Sequence, residues 1–183
     1  MIIHLDELSR KIQAFTFEKR TRDFPVLQEI SAKGDCIFTG PVDIRLGAKK
    51  MGEMVAVEGR AISSVRMTCN RCLSEFETDL RAGFTITYTR RLPEDLAPAD
   101  GEEMELQAEK IGLIPFTGEE INLLTDVQSE IVMALPMRPI CSESCKGLCA
   151  QCGQNLNAVS CNCESRPVDP RLAVLKGLKF DDK

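Results

Sequence analysis

Eight of the nine cysteines in this chain fall into four close pairs, Cys69/Cys72, Cys141/Cys145, Cys149/Cys152 and Cys161/Cys163, and only Cys36 stands alone. The spacings are C-x2-C, C-x3-C, C-x2-C and C-x-C, each short enough for one turn to aim two thiolates at one ion. Four pairs are the ligand count of two tetrahedral four-cysteine sites, so the chain is expected to hold two structural zinc ions. All-sulfur coordination closes such a site to water, which makes it structural rather than hydrolytic. An iron–sulfur cluster is the competing metal. Redox-active or unligated thiols are the bland alternative, but no βαβ pattern surrounds either C-x2-C as a thioredoxin-like motif would need.

A chain of 183 residues fits one domain, or one domain with a small appendage. With no Trp, one Tyr and eight Phe, the core must be mainly aliphatic. No apolar run approaches the roughly 20 residues of a membrane helix. The N-terminal stretch has no basic flank and no long apolar segment, so no signal peptide is expected. The expected location is the cytoplasm, where paired thiols serve metals more often than disulfides.

The formal charge of −5 argues against a uniformly basic nucleic-acid binder. Two zinc-loaded four-cysteine sites would take the charge to about −9. The charges are unevenly spread. Seven acids and no base lie between Pro93 and Glu109, a stretch with Pro93, Pro98 and Gly101 that reads as a solvated loop. From Pro136 to Lys183 there are seven bases against five acids.

The first half reads as half-buried antiparallel strands over 35–46, 54–67 and 76–88, from alternation such as Phe84, Ile86 and Tyr88 against Thr85 and Thr87. Gly40-Pro41 suggests a bulge or edge position, and Gly59 interrupts the second run. Cys69 and Cys72 fall between the second and third runs, at the tip of a hairpin. After Thr117 the spacing turns helical: Leu123, Leu124, Val127, Ile131, Ala134 and Leu135 form one stripe. Asp126, Gln128, Ser129 and Glu130 fall largely opposite it, and Pro136 ends the helix. A last helix is expected from Asp169-Pro170-Arg171, with Asp as N-cap and Pro at the first helical position. Between the two helices, six cysteines sit in a loop of about thirty residues that metal could order. The expected fold is therefore α+β: an antiparallel sheet with a covering helix near 122–135 in residues 1–135, and a Cys-rich zinc-binding segment ending in a helix in 136–183.

Four pairs can share two ions in three ways. Joining Cys69/Cys72 to Cys141/Cys145 leaves Cys149/Cys152 with Cys161/Cys163 and closes an eight-residue loop, Gly153 to Ser160. Joining the hairpin to Cys149/Cys152 is the second option. Joining it to Cys161/Cys163 forces one ion between pairs separated only by Lys146-Gly147-Leu148, and ranks last. The first is preferred. Gly147 and Gly153 support metal knuckles, since glycine permits the positive φ of a tight turn beside a chelating cysteine. Cys36 reads as a small buried residue. His4 is the only histidine and has no partner implied by the sequence. No triad, acid–base pair or phosphate-binding loop emerges, so nothing makes a positive case for an enzyme.

The run Cys69-Asn70-Arg71-Cys72-Leu73 with Phe76, the block Cys141-x3-Cys145-Lys146-Gly147-Leu148-Cys149-x2-Cys152-Gly153-x-Asn155-Leu156-Asn157, then Cys161-x-Cys163 and Asp169-Pro170-Arg171, resemble the YceD family of large ribosomal RNA accumulation proteins. The resemblance spans roughly residues 55–178. It implies a non-enzymatic role in accumulation or processing of large-subunit (23S) ribosomal RNA. Some members look reduced in the C-terminal cysteine block while keeping the hairpin pair, which also favours the first pairing. The partner is then precursor large-subunit rRNA or, in the alternative reading, a ribosomal protein held by a zinc-stabilised interaction module. A redox sensor is a third class. Candidate RNA-facing residues beside the cysteines are Arg66, Arg71, Arg138, Lys146, Arg166, Arg171 and Lys176, which would neutralise phosphates. Asn155 and Asn157 either touch nucleotide edges or hold the turn backbone, the second being favoured.

Overall fold

The computed structural model describes residues 1–90 and 112–163. The acidic stretch at 93–109 and the helix expected from Asp169 lie outside the described residues.

Two strands of fifteen residues each, β5 (Met54–Thr68) and β6 (Glu75–Thr89), form the spine of the main sheet. They pair antiparallel along their whole length, from Met54 opposite Thr89 to Thr68 opposite Glu75. Alternation dictates the two faces. Val55, Val57, Ala61, Val65 and Met67 of β5 and Leu80, Ala82, Phe84, Ile86 and Tyr88 of β6 are buried together, while most of the intervening residues face outward. Outside these, β4 (Val42–Met51) pairs antiparallel with β5, and β2 (Gln13–Lys19) with β4. The short β7 (Leu113–Pro115) runs parallel to β6 on the other side. The strand expected over 35–46 is divided. β3 (Cys36–Phe38) and β4 both pair with β5, and Thr39–Pro41 forms the break between them. There the Ser64 carbonyl accepts the Thr39 N–H at 2.9 Å, so the sheet continues across the interruption. A separate ribbon joins β1 (Ile2–His4) to β8 (Glu120–Asn122).

Among the described residues two α-helices accompany the sheet: α1 (Pro25–Lys33) packs on β3, and α2 (Leu124–Met133) on β6. The fold is thus α+β with a mostly antiparallel sheet, as the alternation predicts. Val127 and Ile131, the centre of the helical stripe, are fully buried. Burial of side chains this size contributes roughly 1.5–3 kcal/mol each. Tyr88 donates its hydroxyl hydrogen to the Asp126 carboxylate, pinning the first turn of α2 to the end of β6. Desolvation, together with that carboxylate, pushes the Tyr88 hydroxyl well above its usual range, so it stays protonated as a donor.

One assignment on α2 is corrected. Gln128, read as part of the outward face, is buried, and its Oε1 accepts the Val26 N–H at 3.1 Å. That bond satisfies a free donor at the start of α1 and ties the two helices together. Cys36 is buried in β3, as its apolar neighbours suggest. His4 lies on the β1–β8 ribbon with Nδ1 3.2 Å from the Glu120 carboxylate. No helix among the described residues is long and apolar enough to cross a membrane.

Candidate metal centre

Strand pairing fixes the first two sulfurs. The six residues between Thr68 and Glu75 turn the β5–β6 hairpin, and Cys69 and Cys72 lie buried in that turn. The Leu73 N–H returns to the Cys69 carbonyl at 2.9 Å and the Cys69 N–H to the Ser74 carbonyl at 2.9 Å. The Arg71 N–H points at Cys69 Sγ, 3.4 Å away. The same knuckle recurs at Cys149–Gln154. The Gly153 N–H reaches the Cys149 carbonyl at 2.9 Å, the Cys149 N–H the Gln154 carbonyl at 2.8 Å, and the Gln151 N–H Cys149 Sγ at 3.5 Å. The turn requires a positive φ just after its second cysteine, and Gly153 supplies it at 73°. Leu73 takes the same place in the hairpin copy at φ 58°, an uncommon conformation for a side chain of this size.

Chain beyond α2 brings the other hairpin-site ligands. The Asn70 N–H donates to the Pro139 carbonyl at 2.8 Å, and the Cys141 N–H points at Cys69 Sγ at 3.4 Å. Arg71 reaches back from the hairpin, with Nη1 3.2 Å from the carbonyls of both Glu143 and Cys145. Gly147, at φ 74°, sits so close to the hairpin that a β-carbon would lie 3.1 Å from the Arg71 carbonyl. The result is a clasp of Cys69, Cys72, Cys141 and Cys145. A second group holds Cys149, Cys152, Cys161 and Cys163, and within each group the sulfurs lie within 4.8 Å of one another. This is the first of the three pairings.

The donor set fits a tetrahedral ion. Sulfurs about 2.3 Å from a central zinc stand about 3.8 Å apart. Cys72 Sγ lies 3.8 Å from Cys141 Sγ, and Cys69 Sγ 3.9 Å from Cys145 Sγ. The electrostatics agree. Desolvation resists ionisation of Cys69, but N–H groups of Cys141, Cys72 and Arg71 outweigh it and lower the thiol to about 6. Cys141 is pushed up to about 12, first by its contact with Cys145. In the second group the Cys152 and Gln151 N–H groups lower Cys149 to about 6, while contact with Cys152 pushes Cys163 up to about 12. In the hairpin group Cys69 and Cys145 are lowered while Cys141 is raised, and in the second group Cys149 is lowered while Cys161 and Cys163 are raised, a conflict among neighbouring thiols that a divalent cation at the centre removes. Either group could therefore hold a metal ion.

The candidate RNA-facing residues are differently placed. Arg138 and Lys146 are exposed beside the clasp. Arg66, on the outer face of β5, is ion-paired with Glu77 at 2.9 Å. Arg71 is engaged inside the clasp. Arg166, Arg171 and Lys176 lie outside the described residues. Asn155 and Asn157 hydrogen-bond protein: Asn155 Nδ2 donates to Ser74 Oγ at 3.0 Å, and Asn157 Oδ1 accepts the Lys146 N–H at 2.8 Å. Turn-holding, the favoured reading for both, matches these contacts. The sequence reading did not anticipate that Asn157 also donates to Cys145 Sγ, at 3.3 Å, because that contact depends on how the two sulfur groups sit together.

A family model described as "Large ribosomal RNA subunit accumulation protein YceD" matches residues 57–179. A maize protein described as "Large ribosomal RNA subunit accumulation protein YCED homolog 1, chloroplastic" is 24% identical over 75% of this chain and 53% of its own length. Its Arabidopsis thaliana counterpart is 22% identical over 76% of this chain and 49% of its own length. An uncharacterized Mycobacterium tuberculosis protein is 28% identical over 73% of this chain and 60% of its own length. The chain thus spans about half the length of the plant relatives it matches. No solved structure matches it.

Proposed function

The chain belongs to the YceD family, and from that membership we propose that it is a non-enzymatic ribosome-biogenesis factor supporting accumulation and processing of large-subunit (23S) ribosomal RNA, stabilised by two structural zinc ions. The observation that carries the metal half is the pair of four-sulfur groups, each with its sulfurs within 4.8 Å of one another, the hairpin group with sulfurs 3.8 and 3.9 Å apart. When bound, zinc supplies a cross-link among four sulfurs. The chain's own residues do the rest: Arg71 fastens the Glu143–Cys145 backbone to the hairpin, and Asn70 fastens Pro139. Residues 1–135 would then stand as a hydrophobic core, with 136–183 ordered by metal. Eight paired thiols fit a reducing compartment such as the cytoplasm.

RNA is the partner that the family name supports. Contact would fall on exposed cations beside the clasp, Arg138 and Lys146 among the described residues, with Arg166, Arg171 and Lys176 further along the chain. Arg71 is a poor probe of RNA binding, because its substitution would also disturb the clasp. The pair Arg138→Glu and Lys146→Glu should weaken binding to precursor large-subunit rRNA at least tenfold, flatten its salt dependence and leave zinc content unchanged. Filter binding across a salt series reads all but the zinc, which elemental analysis supplies. Unchanged affinity would remove these two residues from the interface. If the unsubstituted chain binds no RNA but captures a ribosomal protein, the protein-module reading replaces this one, and the net charge of −5 is the feature that favours it.

A further inference from the structure

Asn157 belongs to one sulfur group by sequence and to the other by contact. It lies in the Gly153–Ser160 loop that the second group closes, between Cys152 and Cys161. Its Nδ2 nevertheless donates to Cys145 Sγ of the hairpin group at 3.3 Å, and its Oδ1 accepts the Lys146 N–H at 2.8 Å. Asn155 holds it in place: Asn155 Oδ1 accepts from Asn157 N at 3.0 Å and from Asn157 Nδ2 at 2.9 Å. Asn155 Nδ2 in turn donates to Ser74 Oγ on the hairpin at 3.0 Å. Two backbone bonds complete the strut, Leu156 N–H to the Gly147 carbonyl at 2.9 Å and Leu148 N–H to the Arg71 carbonyl at 3.1 Å.

The loop carrying this strut has little apolar content. Val159 is exposed and only Asn155 and Leu156 are partly covered, so the loop's order depends on joining Cys149/Cys152 to Cys161/Cys163. With those ends free, holding Asn157 against Cys145 means fixing a flexible segment at a cost in conformational entropy. With them joined, most of that ordering is already complete when the hairpin group binds its ion. A donor to a ligating sulfur also orients it and offsets its charge, and losing such outer contacts typically costs about 10- to 100-fold in metal affinity.

We infer that Asn157 is a positioning residue through which metal at Cys149/Cys152/Cys161/Cys163 tightens metal binding at Cys69/Cys72/Cys141/Cys145, so that the two sites fill cooperatively. The inference rests on the zinc reading above. Linkage makes the effect reciprocal, so breaking the hairpin site weakens the loop site by the same factor.

The test uses the full chain loaded with cadmium, whose NMR resonances report each four-sulfur site separately, and strips the metal with increasing chelator. Asn157→Ala keeps all eight ligands, and far-UV circular dichroism confirms that the sheet persists. Both Asn157→Ala and the pair Cys161→Ser/Cys163→Ser are expected to lower hairpin-site affinity about tenfold or more. Combining them should cost little beyond either alone, because the loop that presents Asn157 is then no longer held. Hairpin-site affinity within twofold of the unsubstituted chain in Asn157→Ala would overturn the coupling. So would losses that multiply in the combined variant. An unsubstituted chain that binds no metal at either group would overturn the zinc reading itself, a result distinct from both.

Discussion

Replacing Cys69 and Cys72 by serine is expected to remove one of about two bound zinc ions and release the chain beyond α2 from the hairpin, while the sheet survives. The asymmetry follows from where the apolar burial lies. Among the described residues, twenty-four buried side chains form the main core, from Ile3 to Ile131, and none of them is a clasp ligand. The clasp is a separate small cluster of Cys69, Cys72 and Cys145, with Phe76 and Ile140 partly covering it. Without an ion, that cluster cannot hold residues 139–148 against the hairpin by apolar contact alone. The Asn70 N–H would contribute about 0.5–1.5 kcal/mol, and the solvent-exposed Arg71 guanidinium at most about 1.5–3 kcal/mol per bond. Zinc content falling by about half, rapid proteolysis within 136–163 and a nearly unchanged far-UV spectrum are the expected combination. Global unfolding of the double variant would instead mean that the sheet depends on the metal. Unchanged zinc content would remove these cysteines from the ligand set.

The second large effect concerns packing in the sheet. Gly59 looks from sequence like a break in a strand, yet β5 runs through it without interruption, pairing Gly59 with Leu46 on one side and Phe84 on the other. The reason for glycine is space. A β-carbon there would lie 2.6 Å from Leu46 Cβ, 2.7 Å from the Arg45 carbonyl and 2.8 Å from Phe84 Cζ. Leu46 and Phe84 are buried, and a carbonyl in the ladder cannot move aside as a flexible chain end could. Gly59→Val should therefore destabilise the protein by about 3 kcal/mol, the upper part of the usual overpacking range. Valine's strand preference offsets at most about 1 kcal/mol of that. Urea denaturation of the full chain reads the change directly. A midpoint equal to or above that of the unsubstituted protein would show that β4 and β6 do not close on this position.

What the sequence made legible was local. Alternation located β5 and β6 to within a residue or two, since most positions of each fifteen-residue strand repeat the same two-faced pattern. The α2 stripe was equally clear. Cysteine spacing identified the hairpin tip and a workable pairing, because a chelating pair is itself a local object. Short or non-local features stayed hidden. β1 and β8 have three residues each and are separated by most of the chain, so neither shows a period. Gln128 looks outward on a helical projection, but it is buried because its amide meets the start of α1, a neighbour visible only in three dimensions. Some signals were present and went unread. Pro25 and Gly34 bracket α1 as start and stop, and Phe15-Thr16-Phe17 alternates within β2. The likeness of the two knuckles is masked because Leu73 stands where Gly153 does in the other copy.

Metal content tests the central claim most directly. The full chain is purified without added metal, and elemental analysis is paired with its ultraviolet–visible spectrum. About two zinc per chain with no visible absorbance is expected from two closed four-cysteine groups. Iron with sulfide-type absorbance, or eight thiols that titrate freely with no metal present, would contradict it.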